Sequence, residues 1–183
     1  MTLIARSRIL ALRAMEVRRI HPHEGPRLRA LRLSALADAP TAFGSTVAET
    51  LAHPREYWDQ LARETAIAGT HVRFVAEEDE RWYGMVGGLM ARDQAGTAQL
   101  VSMWVDPTRR REGIGTALVD AVVRWARGCG ARRIQLWVTD TNEQAKSLYA
   151  RNGFVETERT QPLPSNPTLR EVLMVRELTS ASI

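Results

Sequence analysis

Within about a dozen residues the hydrophobic period of this chain changes from that of a strand to that of a helix. "AQLVSMWV", ending at Val105, has the apolar density of a strand, and Asp106-Pro107 stops it, because proline brings no N–H to a ladder. From Gly113 onward Ile114, Leu118, Val122 and Trp125 recur along one helical face. A strand that passes into an amphipathic helix through so short a turn belongs to a sheet with that helix against its face, which points to an α/β class. The turn carries Arg109, Arg110 and Arg111, then Gly113 and Gly115. The first amides of a helix lack internal partners, and the dipole there favours an anion. Glycines let the backbone approach a phosphate closely, and arginines offer forked donors to its oxygens. The combination reads as a diphosphate cradle. It is not a P-loop, since no Lys-Ser/Thr follows the glycines, nor is it Gly-x-Gly-x-x-Gly. Glycines at such a turn also serve purely structural ends; the arginines ahead of them favour the anion.

The same periodicities divide the rest of the chain. Val17 to Ile20 reads as a short first strand. His23 to Asp38 is helical, with Leu28, Leu31 and Leu36 at core spacing, and Ala39-Pro40 ends it. "TAFGSTVAET" has no clear assignment. His53-Pro54 reads as the start of a helix burying Tyr57, Trp58 and Leu61. "HVRFVAEE" and "WYGMVGGLM" form a hairpin turned by "EEDER". "RRIQLWV" suits a central buried strand. Asn142 to Arg151 reads as a short helix, and "FVETER" and "REVLMVREL" as two last strands joined by a proline-rich loop, "TQPLPSNPTL". The order β-α-α-β-β-β-α-β-α-β-β predicts a mixed α/β sheet with helices on both faces.

The 183 residues suit one domain, expected over 15–183, behind a basic apolar extension at 1–14 that reads as loose or as a start assigned too early, with Met15 the true start. The net charge of +4 would suit a nucleic-acid binder, but Arg6, Arg8 and Arg13 lie in that extension, and the body is nearly balanced. A nucleic-acid role has little support. No apolar run approaches the ~20 residues of a membrane span. A single cysteine, Cys129, excludes an intramolecular disulfide and points to a reducing cytoplasm; its place between glycines reads as a small packed residue. His21, His23, His53 and His71 lack metal-ligand spacing, so no metal is expected.

"RREGIG", from Arg110 to Gly115, resembles the Arg/Gln-x-x-Gly-x-Gly/Ala signature of the Gcn5-related N-acetyltransferases (GNAT). "LWVTDTNEQAKSLYARNGF" resembles the next strand and helix of that family, with Asn142 and Tyr149 at its usual spacing. The resemblance is strongest from Gln99 to Phe154 and extends from Met15 to Leu178. It implies a single-domain, mostly antiparallel sheet splayed into a V between the fourth and fifth strands. It also implies an acyltransferase that moves an acetyl group from acetyl-CoA directly to a primary amine. Pantetheine would enter the V beside the backbone of Met103, Trp104 and Val105, where an amide stabilises the thioester oxygen. Arg110, Arg111, Glu112, Gly113, Ile114, Gly115 and Thr116 would form the pyrophosphate turn, chiefly through amides from Arg111 to Thr116. Tyr149 would be the general acid that protonates the leaving thiolate; its alternative is a core tyrosine. Asn142 would lie near pantetheine, or simply cap its helix.

The acceptor side is less determined. Phe43, Glu49 and Trp137 are candidate acceptor residues, though each also suits the core or the surface. Relatives that acetylate protein N-termini carry a glutamate where this chain has Trp137, so the general base is open, with Glu49, Glu56, Asp59 and His53 as candidates. A non-catalytic module that senses acyl-CoA is the alternative function. The family's dimers make a homodimer an open expectation that no residue here decides.

Overall fold

The structure, a computed structural model, describes residues 14–67 and 69–178. The extension expected over residues 1–14 lies, Ala14 apart, outside them. Among the described residues seven strands form one sheet: β1 (Glu16–Arg19), β2 (His71–Glu78), β3 (Arg81–Met90), β4 (Thr97–Val105), β5 (Arg133–Thr139), β6 (Val155–Leu163) and β7 (Asn166–Glu177), in the spatial order β1-β2-β3-β4-β5-β7-β6. Every neighbouring pair is antiparallel except β4 and β5, which run parallel. The crossover between them is α4 (Ile114–Gly128), the helix foreseen after the glycine turn. α4 and α5 (Glu143–Arg151) cover one face. α1 (Gly25–Asp38) and α3 (Arg55–Ala66) cover the other, with α2 (Val47–Ala52) beside α1.

Each face has its own core. Ile114, Leu118, Val122 and Trp125 of α4, the positions marked by the helical period, pack on Val72, Val86, Ala98 and Leu100 of the sheet. On the opposite face Leu28, Leu31 and Leu36 of α1 and Trp58 and Ala62 of α3 meet Val75, Met85 and Trp104. Pleating sends alternate residues of one strand to the two cores.

Three expectations need correction, and one unassigned segment takes form: "TAFGSTVAET" spans the end of a 3-10 turn (Pro40–Ala42) and most of α2. α2 opens on a capping box: Thr46 Oγ1 accepts from Glu49 N, and the Glu49 carboxylate accepts from Thr46 N. On α3 the buried positions are Trp58, Ala62 and Thr65, one residue away from the expected stripe. Tyr57 is 40% exposed and stacks on His53, while Leu61 is half-buried. The proline-rich loop is mostly strand: β6 and β7 pair through Pro162 and Arg170 as far as Leu163 and Asn166. Proline is tolerated there because β6 is an edge strand and Pro167 lies beyond the end of β5. Cys129 is exposed, since α4 ends before it and turns out through Gly130.

Candidate active site

β4 and β5 pair only from Thr97 to Gln99 against Arg133 to Gln135, and then diverge. A bulge lies just beyond the point of separation. Gly87 of β3 opposes Val101 and Met85 opposes Trp104, so Ser102 and Met103 together face Val86. Ser102 takes up the extra residue at φ 54°. The bulge also changes which residues face which core. Ala98 and Leu100 face α4 before it, Met103 and Val105 after it, and Trp104 is sent to the α1 side. A cavity of about 300 Å³ occupies the cleft on that side, lined by Phe43, Gln99, Ser102, Gln135, Trp137 and Glu171 among others. A more open hollow of about 610 Å³ lies along edge strand β1, which is not one of the two diverging strands.

The arginine–glycine turn follows the diverging strand. Asp106 shapes it by accepting from Thr108 N at 2.9 Å and Thr108 Oγ1 at 2.6 Å. Gly113 is the N-cap of α4 at φ 85°, and no side chain caps the helix. The first helical bond is from Ala117 N to Gly113 O, so the amides of Ile114, Gly115 and Thr116 have no intrahelical partner. No acid stands in that first turn, and a Cβ on Gly113 would meet nothing within 4 Å. The turn is thus electropositive and open in front.

The three arginines have different partners. Arg109 bridges Glu78 at 2.6 Å and Glu112 at 2.7 Å and lies over the Tyr83 ring, tying the turn to the β2–β3 hairpin. Arg110 donates to the carbonyl of Val105 at 3.0 Å and to Asp38, whose carboxylate also accepts from Trp104 Nε1 at 2.9 Å. Arg111, at φ 68° and exposed, has no ion pair with a described residue. Trp104 and Ile114 are buried, so they can offer the cleft and the turn only backbone groups. Met103 and Val105 are half-buried against the α4 core, and Thr116 Oγ1 accepts from Asn152 at 3.4 Å.

Tyr149 is 6% exposed and lies edge-on to Phe154 at 5.8 Å. Its hydroxyl has no hydrogen-bond partner among the described residues, and burial pushes its pKa up, so it holds its proton at neutral pH. Asn142 caps α5, its Oδ1 accepting from Ala145 N at 3.1 Å. Phe43 and Trp137 both line the cavity. Glu49 does not: its carboxylate closes the α2 capping box in solvent, which holds its pKa below the usual carboxylate range. His53, Glu56 and Asp59 are likewise absent from the lining. Glu171 is its one carboxylate, 7% exposed, with Oε2 accepting from Gln161 at 2.9 Å. It sits opposite Thr139, beyond Trp137 on the same face of the sheet, a placement that only the β5–β7 register reveals. Among the described residues no group of three His, Cys, Asp or Glu is placed to hold a metal, and no helix is long and apolar enough to cross a membrane.

Comparison with known proteins agrees with this geometry. An uncharacterized N-acetyltransferase of Methanocaldococcus jannaschii is 41% identical over 61 residues, covering 33% of this chain and 27% of the relative. The chain thus spans about a quarter of that relative's length. A GNAT acetyltransferase of Streptococcus pneumoniae superimposes with a TM-score of 0.75 at 22% identity, covering 91% of this chain and 100% of that one. The YncA protein of Salmonella typhimurium, solved with its cofactor acetyl-CoA, superimposes with a TM-score of 0.74 at 18% identity, covering 93% and 98%. At those identities the likeness is one of fold. The family model for the GNAT acetyltransferases matches residues 35–154, which include the diverging strands β4 and β5, the glycine turn and Tyr149. The chain belongs to the acetyltransferase (GNAT) family.

Proposed function

We propose that this protein transfers the acetyl group of acetyl-CoA to a primary amine. The observation that carries the reading is the adjacency of two features: strands that part after Gln99 and Gln135, and an uncapped helix start immediately beyond. The free amides of Ile114, Gly115 and Thr116 suit a pyrophosphate, with Arg111 as the uncommitted cation beside them. Arg109 and Arg110 hold the turn in shape through Glu78, Glu112 and Asp38. Pantetheine then runs along the unpaired edge of β4 and brings the thioester to Met103, Trp104 and Val105.

The amine enters from the side of Phe43 and Trp137. Its nitrogen attacks the thioester carbonyl, and the negative charge that develops on the carbonyl oxygen is met by a β4 amide. Glu171 takes the proton that the amine gives up, supplying the carboxylate that Trp137 does not. The C–S bond breaks, and Tyr149 donates its phenolic proton to the departing thiolate, then regains one from solvent. A phenol kept neutral by burial is suited to that donation.

Calorimetric titration with acetyl-CoA, followed by a thiol-release screen over mixed amines, tests the reading. Binding with turnover is expected. An absence of acetyl-CoA binding refutes it, and binding without turnover on any amine leaves the acyl-CoA-sensing role instead.

A further inference from the structure

The cleft has a second electrostatic feature that the acetyl transfer itself does not use. Arg32 of α1 lines the cavity; its Nη2 donates to Ser45 Oγ at 2.8 Å and its guanidinium lies over the Phe43 ring at 4.3 Å. Its Nη1 is buried with no hydrogen-bond partner. Arg73 of β2 reaches along the same face. Its guanidinium carbon would lie 3.6 Å from a Cβ on Gly87, and the same Cβ would lie 3.1 Å from Val101, another residue of the cavity wall. Arg73 Nε is also buried and unpartnered. No described carboxylate pairs with either group. The charged or titratable neighbours they feel are Tyr57 of α3 and, for Arg32, Arg73 itself. Burial, reinforced at Arg32 by the charge of Arg73, pushes both guanidinium groups down to about 10, still well above neutral, so both remain cations.

Two neighbouring half-buried cations without a counterion are unfavourable in the free protein. Three other half-buried arginines do have carboxylate partners: Arg18 with Glu24 and Glu77, Arg109 with Glu78, Arg110 with Asp38. At the cleft no described carboxylate fills that place, which leaves it open to an anionic ligand.

Resting on the acetyltransferase reading, we infer that the acceptor is an amine that also carries an acid group. Its carboxylate or comparable oxyanion binds between Arg32 and Arg73, while its amine is directed to Glu171, the one carboxylate lining the same cavity. The substrate class is that of free amino acids and amino-acid-like oxyacids. Lysine side chains within proteins and polycationic amines fall outside it.

The test pairs each of a panel of α-amino acids with its carboxamide, which removes the negative charge and keeps the shape. Thiol release is measured at saturating acetyl-CoA. The acids are expected to exceed their amides about 100-fold in kcat/KM, carried by KM, because a site built for an anion leaves its donors unpaired with the amide. Arg32→Met and Arg73→Met, each of which removes an unpaired charge and keeps bulk, are expected to collapse that ratio toward one. Arg32→Lys and Arg73→Lys, which keep charge without the fork, are expected to fall between. Melting curves verify that each variant is folded.

A second arm needs no turnover: calorimetric binding of the N-acetyl amino acids and N-acetyl amino-acid amides in the presence of coenzyme A. Acid-selective binding lost in Arg73→Met, with no turnover on any amine, keeps the anion subsite and refutes the enzyme. Turnover with equal use of acids and amides keeps the enzyme and overturns the subsite. So does acid preference that survives both methionine variants, or an absence of acid preference in both arms.

Discussion

Gly113 and Gly115 stand two residues apart in the same turn, yet the structure gives them different reasons to be glycine, and alanine separates the two. Gly113 has φ 85° and ψ −7°, a left-handed conformation, and a Cβ there would meet nothing within 4 Å. The penalty of Gly113→Ala is therefore one of backbone conformation, about 1–2 kcal/mol. For a chain of this size each kcal/mol moves the melting temperature by about 2–4 °C, so a fall of about 2–8 °C is expected. Gly115 has no positive φ and lies in the helix, where alanine is favoured over glycine by about 1 kcal/mol. Its Cβ would press on Leu148 Cδ2 at 3.1 Å and come within 3.5 Å of Met103, contacts that flexible side chains can relieve. Gly115→Ala should melt within about 3 °C of the parent. Differential scanning calorimetry of both variants without ligand, then titration with acetyl-CoA, separates folding from binding. A Gly113→Ala protein as stable as the parent would falsify the conformational argument. A Gly113→Asp protein with unchanged acetyl-CoA affinity would remove the cradle, because that side chain adds bulk and negative charge in front of the free amides.

Tyr149→Phe should lower kcat strongly while leaving acetyl-CoA affinity and neutral-pH stability nearly unchanged, since the hydroxyl has no hydrogen-bond partner among the described residues; a loss of coenzyme binding contradicts the general-acid role. The same variant has a consequence in alkali. Below pH ~10 both the folded and unfolded tyrosine are protonated, whereas above it only the unfolded one ionises, so the parent loses stability as pH rises and the Phe variant loses less. Urea melts at pH 9 and 11 measure the difference. Asp38→Asn weakens the hydrogen bonds that join Trp104 and Arg110 across α1, β4 and the turn, and should cost about 1–2 kcal/mol given partial exposure, seen as a lower urea midpoint. Glu171→Gln should lower kcat/KM for the amine while leaving acetyl-CoA affinity unchanged; an unaltered kcat/KM assigns the proton elsewhere.

What the sequence made legible was what local period and local chemistry carry. The step from strand to helix between Val105 and Gly113 and the four buried positions of α4 are consequences of spacing along one element. α2 was left unassigned although Thr46 and Glu49 stand at its N-cap and third position, because the small side chains around them hide that capping signal. The prolines of β6 read as a loop because only the sheet order shows that strand to be an edge. Glu171 and Arg73 look, within their own strands, like ordinary outward-facing charges. Their meeting with the cleft depends on pairing registers between strands far apart in sequence, and no local period encodes those. Two arginines of the turn had carboxylate partners on α1 and β2, equally distant in sequence, so charge at the turn was readable and its availability was not.

The bulge at Ser102 makes the width of the cleft a matter of counting. β4 holds one residue more than its neighbour β3 can match, and that surplus sets which side chains follow it onto which face. Substitutions along the strand change what lines the cleft; a deletion of one residue at Ser102 would straighten the strand. The straightened β4 would keep its apolar alternation and its place beside β3, and it could continue pairing with β5 past Gln99. Such a chain would keep its core and lose its substrate entrance. The spacing of residues along β4, and not their identity alone, therefore sets the opening.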